Sequence, residues 1–391
     1  MTMDSPTRKL DVLIDFIVRS DSPTKSGGDS LQIAEYIQRL ERRGADCRLI
    51  PFTPTMKVRD GAIAHIVNID RPFDLLSSIA AADGHPVVVS PIHHDLNFVR
   101  RMRLADKGWG LGSISGRVLP EPVRELMGFA VRSLRTAAST QDRLVAVRSF
   151  LGAMVAAPRI WRHVGAALDG VSAVALLARG EGASLQRDTG WNGNNAILVP
   201  NGHPPMAHIQ ALRKESRIRN IGILSVGRIE LRKRQLEVAR EALKQATKVV
   251  FVGPAPAGGS RYASEFSRVV DESAGLLEWR GSASHSEVLE LMSQARVLIN
   301  ASWVEVQSLV DIEAAFSGCQ VVVARGGNSG ESLTDHVHEI SQDGVGALLR
   351  QAASLRDNDG PVRYPLPTWS WDDAVDALAN VYVGSSGNTP G

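Results

Sequence analysis

Short apolar runs bounded by turn residues alternate with segments of helical period along most of the chain. The first is LDVLIDFIVR, residues 10–19, and AHIVNI, HPVVVSP, VSAVALLA and NAILVPNG follow it in the first half. A second series contains IGILSVG, TKVVFVG, LLEWRG, ARVLINAS and CQVVVARGG. This alternation predicts parallel strands joined by helices that cover both faces of a sheet. Because the series restarts, we predict two doubly wound α/β halves with a boundary near residues 200–211.

Two helices can be placed with some detail. After the first strand and the loop SPTKSGGDS, the apolar spacing in LQIAEYIQRLERRG predicts a buried face of Leu31, Ala34, Ile37 and Leu40. A helix is also expected from about Ser286 to Gln294. Ligands of doubly wound folds bind where loops leave the carboxyl ends of the strands, so those loops are the candidate sites.

Composition narrows the class of protein. At 391 residues the chain is long enough for two cores, and 44 basic against 42 acidic residues leave a net charge of +2. That balance predicts no nucleic-acid partner. Cys47 and Cys319 lack disulfide or zinc spacing, which favours a reducing cytoplasm and no structural metal. The amino-terminal apolar run is shorter than a signal or membrane segment needs.

Two glutamates stand at the carboxyl end of a predicted strand. Glu305 lies in the loop after VLINAS, and Glu313 lies on the first turns of the next helix. A carboxylate near a helix start is favoured by the dipole and can accept hydrogen bonds from a vicinal diol such as a ribose. The alternative is that Glu313 only caps its helix and Glu305 is a solvated loop charge.

A group of cations follows another predicted strand. In SVGRIELRKRQ, Arg228, Arg232, Lys233 and Arg234 crowd a loop that opens a helix. Backbone N–H groups at a helix start, together with guanidinium and ammonium groups, make a suitable diphosphate site. The alternative is a solvated basic turn.

Two further loops carry candidate chemistry in the first half. The glycines of KSGGDSLQ, Gly27 and Gly28, would let the backbone approach a phosphate or sugar, although the loop has neither dinucleotide nor P-loop spacing. His93, His94 and Asp95 follow the strand HPVVVSP. Adjacent histidines without a third spaced ligand make a poor zinc site, and a polar surface role is the alternative.

Taken in order, these loops resemble the retaining glycosyltransferases of the GT-B fold, in particular family four of the nucleotide-sugar glycosyltransferases. The resemblance rests on SGGDSLQIAEYIQRLERRG, ILVPNGHPP, SVGRIELRK, EVQSLVDIEAAFSGCQVVVARGGNSGE and PTWSWDDAVDALANVYV. It implies two Rossmann-like domains facing a cleft. Residues 1–203 would form the acceptor-side domain, with a terminal helix at 368–384 packing back on it, and residues 204–367 would bind the nucleotide sugar.

The resemblance also implies roles for single residues. Glu313 would bind the ribose, Arg228 and Lys233 the departing diphosphate, and Glu305 the donor sugar near its anomeric carbon. His94 would contact the donor sugar or the departing phosphate, and His93 is the weaker candidate of the two. Sugar and phosphate would be lined by backbone amides of Gly27, Gly28, Val306, Gln307, Ser308 and Leu309. Such enzymes work without a bound metal, and no cofactor is expected beyond the nucleoside diphosphate sugar as donor substrate.

The sequence departs from the family pattern after the first glutamate. Many members have glycines there, whereas Val306, Gln307 and Ser308 carry side chains that would obstruct a close approach of the sugar. Asp311 adds a carboxylate two residues before Glu313, which we expect to face solvent or a substrate amine.

Residues 100–163 are strongly basic, with twelve arginines and lysines against four acidic residues. Within them, RLVAVRSFLGAMVAAPRIW interleaves arginines with an apolar face, which is typical of an interfacial helix attracted to anionic lipid. A core-facing helix with a solvated basic edge is the alternative.

The resulting hypothesis is a cytoplasmic hexosyltransferase, peripheral on the inner face of the membrane. It would transfer a hexose from a nucleoside diphosphate sugar to a hydroxyl of a glycan or lipid-linked acceptor, in cell-surface polysaccharide or glycolipid synthesis. A catalytically degenerate GT-B binding or scaffold protein and a GT-B nucleotide-sugar epimerase are the alternatives. A phosphorylase of this fold would need a pyridoxal lysine, and no lysine lies in such a context.

Overall fold

The computed structural model describes residues 9–21, 28–106, 119–137, 139–215, 219–256, 258–333, 336–340, 344–358, 364–365 and 369–386. These residues form two compact units. Unit 1 takes the described residues up to Asp95, those from 119 to Gly202 and those from Trp371 onward. Unit 2 takes the described residues from Leu96 to 106 and from His203 to Ser370.

The described residues contain twelve strands, fourteen α-helices and three short 3-10 helices. The strands are β1 Leu13–Val18, β2 Asp46–Pro51, β3 Ile63–Val67, β4 Val87–Ser90, β5 Ala173–Leu176, β6 Ala196–Leu198, β7 Ile221–Val226, β8 Val249–Val252, β9 Leu277–Trp279, β10 Ala295–Asn300, β11 Gln320–Ala324 and β12 Val337–Ile340. The helices are α1 Gly28–Arg42, α2 Pro72–Ala81, α3 Leu96–Ala105, α4 Glu121–Thr136, α5 Thr140–Ala156, α6 Ile160–Asp169, α7 Arg179–Thr189, α8 Met206–Glu215, α9 Gln235–Lys244, α10 Arg261–Asp271, α11 His285–Gln294, α12 Leu309–Phe316, α13 Val345–Arg356 and α14 Trp371–Ser386.

Each unit is built on one sheet of six strands. The strand order is β2-β1-β3-β4-β5-β6 in unit 1 and β12-β11-β10-β7-β8-β9 in unit 2. Every neighbouring pair is parallel. Parallel pairing needs crossover connections, and helices supply them. The prediction of two doubly wound α/β halves is confirmed.

The buried positions of β10, a central strand of unit 2, are apolar because both faces of the sheet are covered. On β10, Val297 and Ile299 pack in one hydrophobic cluster, whereas Leu298 packs in the cluster on the opposite face. Successive strand side chains point to opposite faces, so a strand buried on both sides appears as a continuous apolar run. This is the pattern by which β10 was predicted.

Two strands were missed because their sequences do not form such runs. In β2, DCRLIP, no residue is fully buried. In β12, VHEI, the residues are half-buried or exposed. Both are edge strands of their sheets, where side chains are less buried and polar residues are tolerated.

The predicted buried face of α1 was correct at Leu40 and wrong at Ala34, and Leu31 and Ile37 are half-buried. The buried residues are Gln32, Ile33, Tyr36 and Leu40, whereas Ala34 is exposed. The Gln32 amide donates a hydrogen bond of 2.8 Å to the Tyr36 hydroxyl, so the two polar groups satisfy each other inside the unit. Counting apolar residues alone could not identify this face.

The last helix, α14, packs on α1 and β3 within unit 1. The Trp371 ring meets Tyr36 edge-on at 6.0 Å, and the Tyr382 hydroxyl lies 2.6 Å from Nδ1 of His65. Gly202, in the PNG turn, leaves space for this helix, because a Cβ there would lie 2.2 Å from the Trp371 nitrogen. The basic segment 100–163 is divided, since α3 belongs to unit 2 and α4 to α6 belong to unit 1.

Candidate active site

In unit 2, the loops that follow β7, β10 and β11 meet at the carboxyl ends of three neighbouring strands. Asn300 ends β10 and accepts hydrogen bonds from the Ser302 nitrogen at 3.2 Å and from its hydroxyl at 2.6 Å. Ser308 then caps α12 by accepting from the Asp311 nitrogen at 3.3 Å. The side chains thus fix both ends of the loop that carries Glu305.

Glu305 is held by cations from the loop after β7. Lys233 Nζ donates to Glu305 Oε1, and Arg232 Nη1 lies 3.4 Å from the same oxygen. The Trp303 nitrogen donates to the Arg232 carbonyl at 2.8 Å, so the two loops are also joined through their backbones. The Glu305 side chain is only 16% exposed. Glu305 is therefore a paired, largely buried carboxylate, and the alternative of a solvated loop charge was wrong.

The loop after β11 needs glycine to reach this site. Gly326 has φ 127°, and a Cβ there would lie 2.8 Å from the Trp303 carbonyl oxygen. At Gly327 a Cβ would lie 3.2 Å from Cβ of Glu305. Larger residues would separate the two loops.

The four cations of SVGRIELRKRQ have different surroundings. Arg228 is the most exposed, with its Nε 3.9 Å from Glu230 Oε2. Arg234 is buried at φ 59°, and its guanidinium lies 4.1 Å from the centre of the Trp303 ring. Arg234 thus supports the loop through a cation–π contact. The alternative of a uniformly solvated basic turn was wrong.

Glu313 is buried on the first turns of α12, with His285 as its partner. His285 Nε2 lies 2.8 Å from Glu313 Oε1, and the imidazole is about half exposed. His285 is the first residue of α11, behind a capping box formed by Ser284 and Glu287. His285 was not predicted as a site residue, because only the capping pattern marks its position and nothing in the sequence places it beside Glu313.

The expectation that Asp311 faces solvent or a substrate amine was wrong. Its carboxylate is buried and accepts from Asn300 Nδ2 at 2.8 Å and from the Ser329 hydroxyl at 2.7 Å. Burial raises the pKa of Asp311 to about 6, against the hydrogen bonds from Ser329 and Asn300, which lower it. Asp311 joins β10, α12 and the loop after β11.

The side chains of Val306, Gln307 and Ser308 are buried, so the expectation that they obstruct the loop surface was wrong. Gln307 Nε2 donates to the Ser332 hydroxyl at 3.3 Å. The Ser308 nitrogen, one of the amides expected to line a ligand, donates to the Ser329 hydroxyl at 3.4 Å. Leu309 is the first residue of α12, and a ligand-lining role for its amide and that of Val306 stays a prediction.

In unit 1, His94 follows β4 and is oriented by Asp70, which follows β3. His94 Nδ1 lies 3.0 Å from Asp70 Oδ1. Although burial opposes it, the charge of His94 and its hydrogen bond lower the pKa of Asp70 to about 2. Ile92, two residues before His94, has φ 46°, which is a strained conformation for a β-branched residue.

His93 is buried and supports the same loop. Its nitrogen donates to Glu181 Oε1 at 2.8 Å, and its Nε2 lies 2.9 Å from Asp188 Oδ2. Glu181 also accepts from the Leu177 nitrogen at 2.6 Å, and burial raises its pKa to about 7. Glu181 was not singled out from the sequence, because an isolated glutamate on a helix carries no signal of burial.

The first glycine loop is described only in part. Gly27 lies outside the described residues, and Gly28 begins α1. Asp29, in the first turn of α1, pairs with Arg19 at 2.8 Å. Among the described residues, no group of three or more His, Cys, Asp or Glu side chains could hold a metal ion.

The fold of the chain is the GT-B fold of glycosyltransferases. Sucrose-phosphate synthase from Thermosynechococcus elongatus matches 95% of this chain and 97% of its own with a TM-score of 0.58 and 13% identity. HepE of Anabaena in complex with UDP matches 96% and 98% with a TM-score of 0.56 and 13% identity. The catalytic domain of Arabidopsis thaliana starch synthase IV bound to ADP and acarbose matches 96% and 100% with a TM-score of 0.54 and 11% identity. No protein-family model and no curated protein sequence matches the chain.

Proposed function

We propose that the chain is a retaining glycosyltransferase that moves a hexose from a nucleoside diphosphate sugar to a hydroxyl acceptor, in the synthesis of cell-surface polysaccharide or glycolipid. The observation that carries the proposal is the pairing of Glu305 with Lys233 at the carboxyl ends of β10 and β7. Two motifs that the resemblance assigns to the donor sugar and its diphosphate thus come together in one site of a GT-B fold.

Unit 2 binds the nucleotide through Glu313. Its carboxylate accepts hydrogen bonds from the ribose hydroxyls, and the bond to His285 fixes its orientation. The complexes of HepE with UDP and of starch synthase IV with ADP support a nucleoside diphosphate as the ligand.

Lys233 and Arg228 stabilise the diphosphate as it leaves. Fixed cations directed at developing negative charge are among the largest catalytic contributions available, and they make a metal ion unnecessary in this proposal. The bond between the anomeric carbon and the diphosphate oxygen breaks, and a bond to the acceptor oxygen forms with retention of the anomeric configuration. The acceptor's proton passes to the departing diphosphate.

Glu305 positions the donor sugar. Its Oε1 contacts Lys233 and Arg232, which fix the orientation of the carboxylate. In this state it accepts a hydrogen bond from a sugar hydroxyl close to the anomeric carbon. For His94, the contact to the donor sugar or departing phosphate stays a prediction from the resemblance.

Unit 1 binds an anionic membrane surface from the cytoplasmic side through α4 and α5. Apolar side chains form one exposed stripe along each of these packed helices: Val123, Met127, Val131 and Leu134 on α4, and Leu144, Val147, Leu151 and Met154 on α5. The exposure of these side chains supports such a contact. Five arginines share the two helices, and each cation near an anionic surface contributes about 1 kcal/mol.

No helix in the described part of the chain is long and apolar enough to cross a membrane.

The donor site can be tested by thermal melting with UDP, GDP, ADP, dTDP and CMP. A ligand at a hundredfold its Kd stabilises the folded protein by about 2.7 kcal/mol. We expect one diphosphate to raise the Tm of the wild type and of Glu290→Ala, a control glutamate exposed on α11, but not of Glu313→Ala. If no nucleotide raises the Tm, or if Glu313→Ala responds like the wild type, the proposed donor site is wrong.

A further inference from the structure

A groove of about 700 Å³ opens in unit 1 beside the loops that follow β1 and β3. One face of α4 forms its other wall. The lining combines guanidinium groups with apolar side chains: Arg71, Arg124, Arg132, Arg135, Met127 and Val131. Arg71 directly follows Asp70, the residue that orients His94, so the groove adjoins the carboxyl-end loops of this unit.

Two of these guanidinium groups are fixed in place. Arg132 makes two bonds to Asp74, from Nε at 3.1 Å and from Nη2 at 2.9 Å. Gly128 admits this side chain, since a Cβ there would lie 2.9 Å from Arg132 Nη1. Arg71 is held by Asp21 at 2.8 Å. Because their acidic partners already order them, these donors lose little freedom when they bind an anion.

The charge of the groove is not fully compensated by its own acidic groups. Asp21 pairs with Arg71, Asp74 with Arg132, and Glu125 with Arg124 at 3.0 Å. Arg135 is exposed and forms no ion pair with another described residue. Guanidinium groups bind phosphate oxygens in a bidentate manner, so this excess positive charge favours a phosphate group over a neutral sugar.

The apolar part of the groove continues beyond it. Met127 and Val131 line the groove and are also members of the exposed stripe of α4, 55% and 47% exposed. A ligand chain that packs on these two residues can therefore continue along the stripe. A nucleotide or a free sugar phosphate has no hydrocarbon chain that could pack on this apolar surface.

We propose that this groove binds an anionic amphiphile, with a phosphate head group on the arginines and a hydrocarbon chain along Met127 and Val131. The proposal rests on the proposed function and specifies its acceptor: the accepting hydroxyl belongs to a glycan carried on a lipid phosphate. The two apolar stripes and the groove then bind the same lipid surface, because the carrier lipid enters the groove from the membrane on which α4 and α5 lie.

Calorimetric titration with geranyl phosphate, below its micelle concentration, tests the groove. Inorganic phosphate represents the head group alone and geraniol the hydrocarbon chain alone. We expect each of them to bind at least about tenfold more weakly than geranyl phosphate. Arg135→Ala and Met127→Ser should each weaken geranyl phosphate binding by a similar factor. Arg42→Ala on α1 and Leu49→Ser on β2, matched exposed changes in unit 1 outside the groove, should leave it unchanged.

Equal affinities for inorganic phosphate and geranyl phosphate would overturn the proposal, because the site would then be a simple anion site. So would loss of binding in Arg42→Ala and Leu49→Ser to the same extent as in the α4 variants. Titration of the same preparation with UDP, GDP, ADP, dTDP and CMP separates the two proposals. A protein that binds one of these nucleotides but no geranyl phosphate contradicts the groove alone, and one that binds geranyl phosphate but none of the nucleotides contradicts the proposed function.

Discussion

Replacing Asp311 by asparagine should make unit 2 more stable above pH 6. In the folded protein burial raises the pKa of this carboxyl to about 6, from an ordinary value of 3.8. At 1.36 kcal/mol per pH unit, that difference corresponds to about 3 kcal/mol. The folded state holds the proton more tightly than the unfolded state, so the contribution of Asp311 to stability falls as pH rises from about 4 to 6 and stays low above it.

Asparagine has nearly the same shape and keeps the local hydrogen bonds. Its carbonyl can accept from Asn300 Nδ2, and its amide can donate to the Ser329 hydroxyl. The substitution therefore removes the cost of burying the charge, and the carbonyl and the amide of the asparagine each keep one hydrogen-bond partner. We expect Asp311→Asn to match the wild type at pH 4 and to exceed it by up to about 3 kcal/mol at pH 8.

Urea denaturation followed by far-ultraviolet circular dichroism at pH 4, 6 and 8 measures this difference. Asp357→Asn changes an exposed aspartate of the same unit and is the control, for which we expect no gain at pH 8. The raised pKa of Glu181 is common to all three proteins and cancels in the comparison. A difference between wild type and Asp311→Asn that does not change with pH would refute the reasoning.

Four further predictions follow from the site and the helices. Lys233→Ala should lower kcat on the order of 100-fold in a donor-discharge assay, because enzymes lose about this much when one group that stabilises developing negative charge is removed. An unchanged kcat would show that Lys233 does not act on the diphosphate. His285→Ala should weaken nucleotide binding by about tenfold in a titration, since the bond that orients Glu313 is lost; equal affinity would make that bond structural only. Gly326→Ala should cost at least about 1 to 3 kcal/mol in urea unfolding, whereas Gly330→Ala, in open space, should cost far less; similar losses would contradict the close approach to Trp303. The protein should co-sediment with anionic vesicles at low salt and less at high salt, and Leu151→Ser should reduce the bound fraction; wild type left in the supernatant would contradict the membrane surface.

The sequence predicted those strands well that are buried on both faces of the sheet, because such strands require apolar side chains at successive positions. Strands such as β10 and β11 appear as apolar runs for this reason, whereas β2 and β12 do not, because residues at the ends of a sheet tolerate polar side chains. On α1, by contrast, polar groups are buried: Gln32 and Tyr36 lie inside the unit as a hydrogen-bonded pair, which hydrophobic periodicity does not detect.

Only those contacts of the site that follow from the order of parallel strands were predictable from the sequence. Glu305 and Lys233 both follow parallel strands, and the carboxyl ends of such strands lie on one edge of a sheet, so their proximity could be anticipated. The contact of His285 with Glu313 could not, because it depends on how α11 and α12 pack. The burial of Asp311 likewise depends on polar partners from separate loops.

The most direct test of the central claim is the discharge of nucleotide-sugar donors by the purified protein. UDP-glucose, GDP-mannose, ADP-glucose and dTDP-glucose would be incubated separately with the wild type, with Glu313→Ala and with the control Glu290→Ala, and release of the nucleoside diphosphate would be followed by chromatography. We predict release from one donor by the wild type and the control, and none above background by Glu313→Ala. No release from any donor, or equal release by Glu313→Ala, would contradict a glycosyltransferase site at Glu305, Lys233 and Glu313.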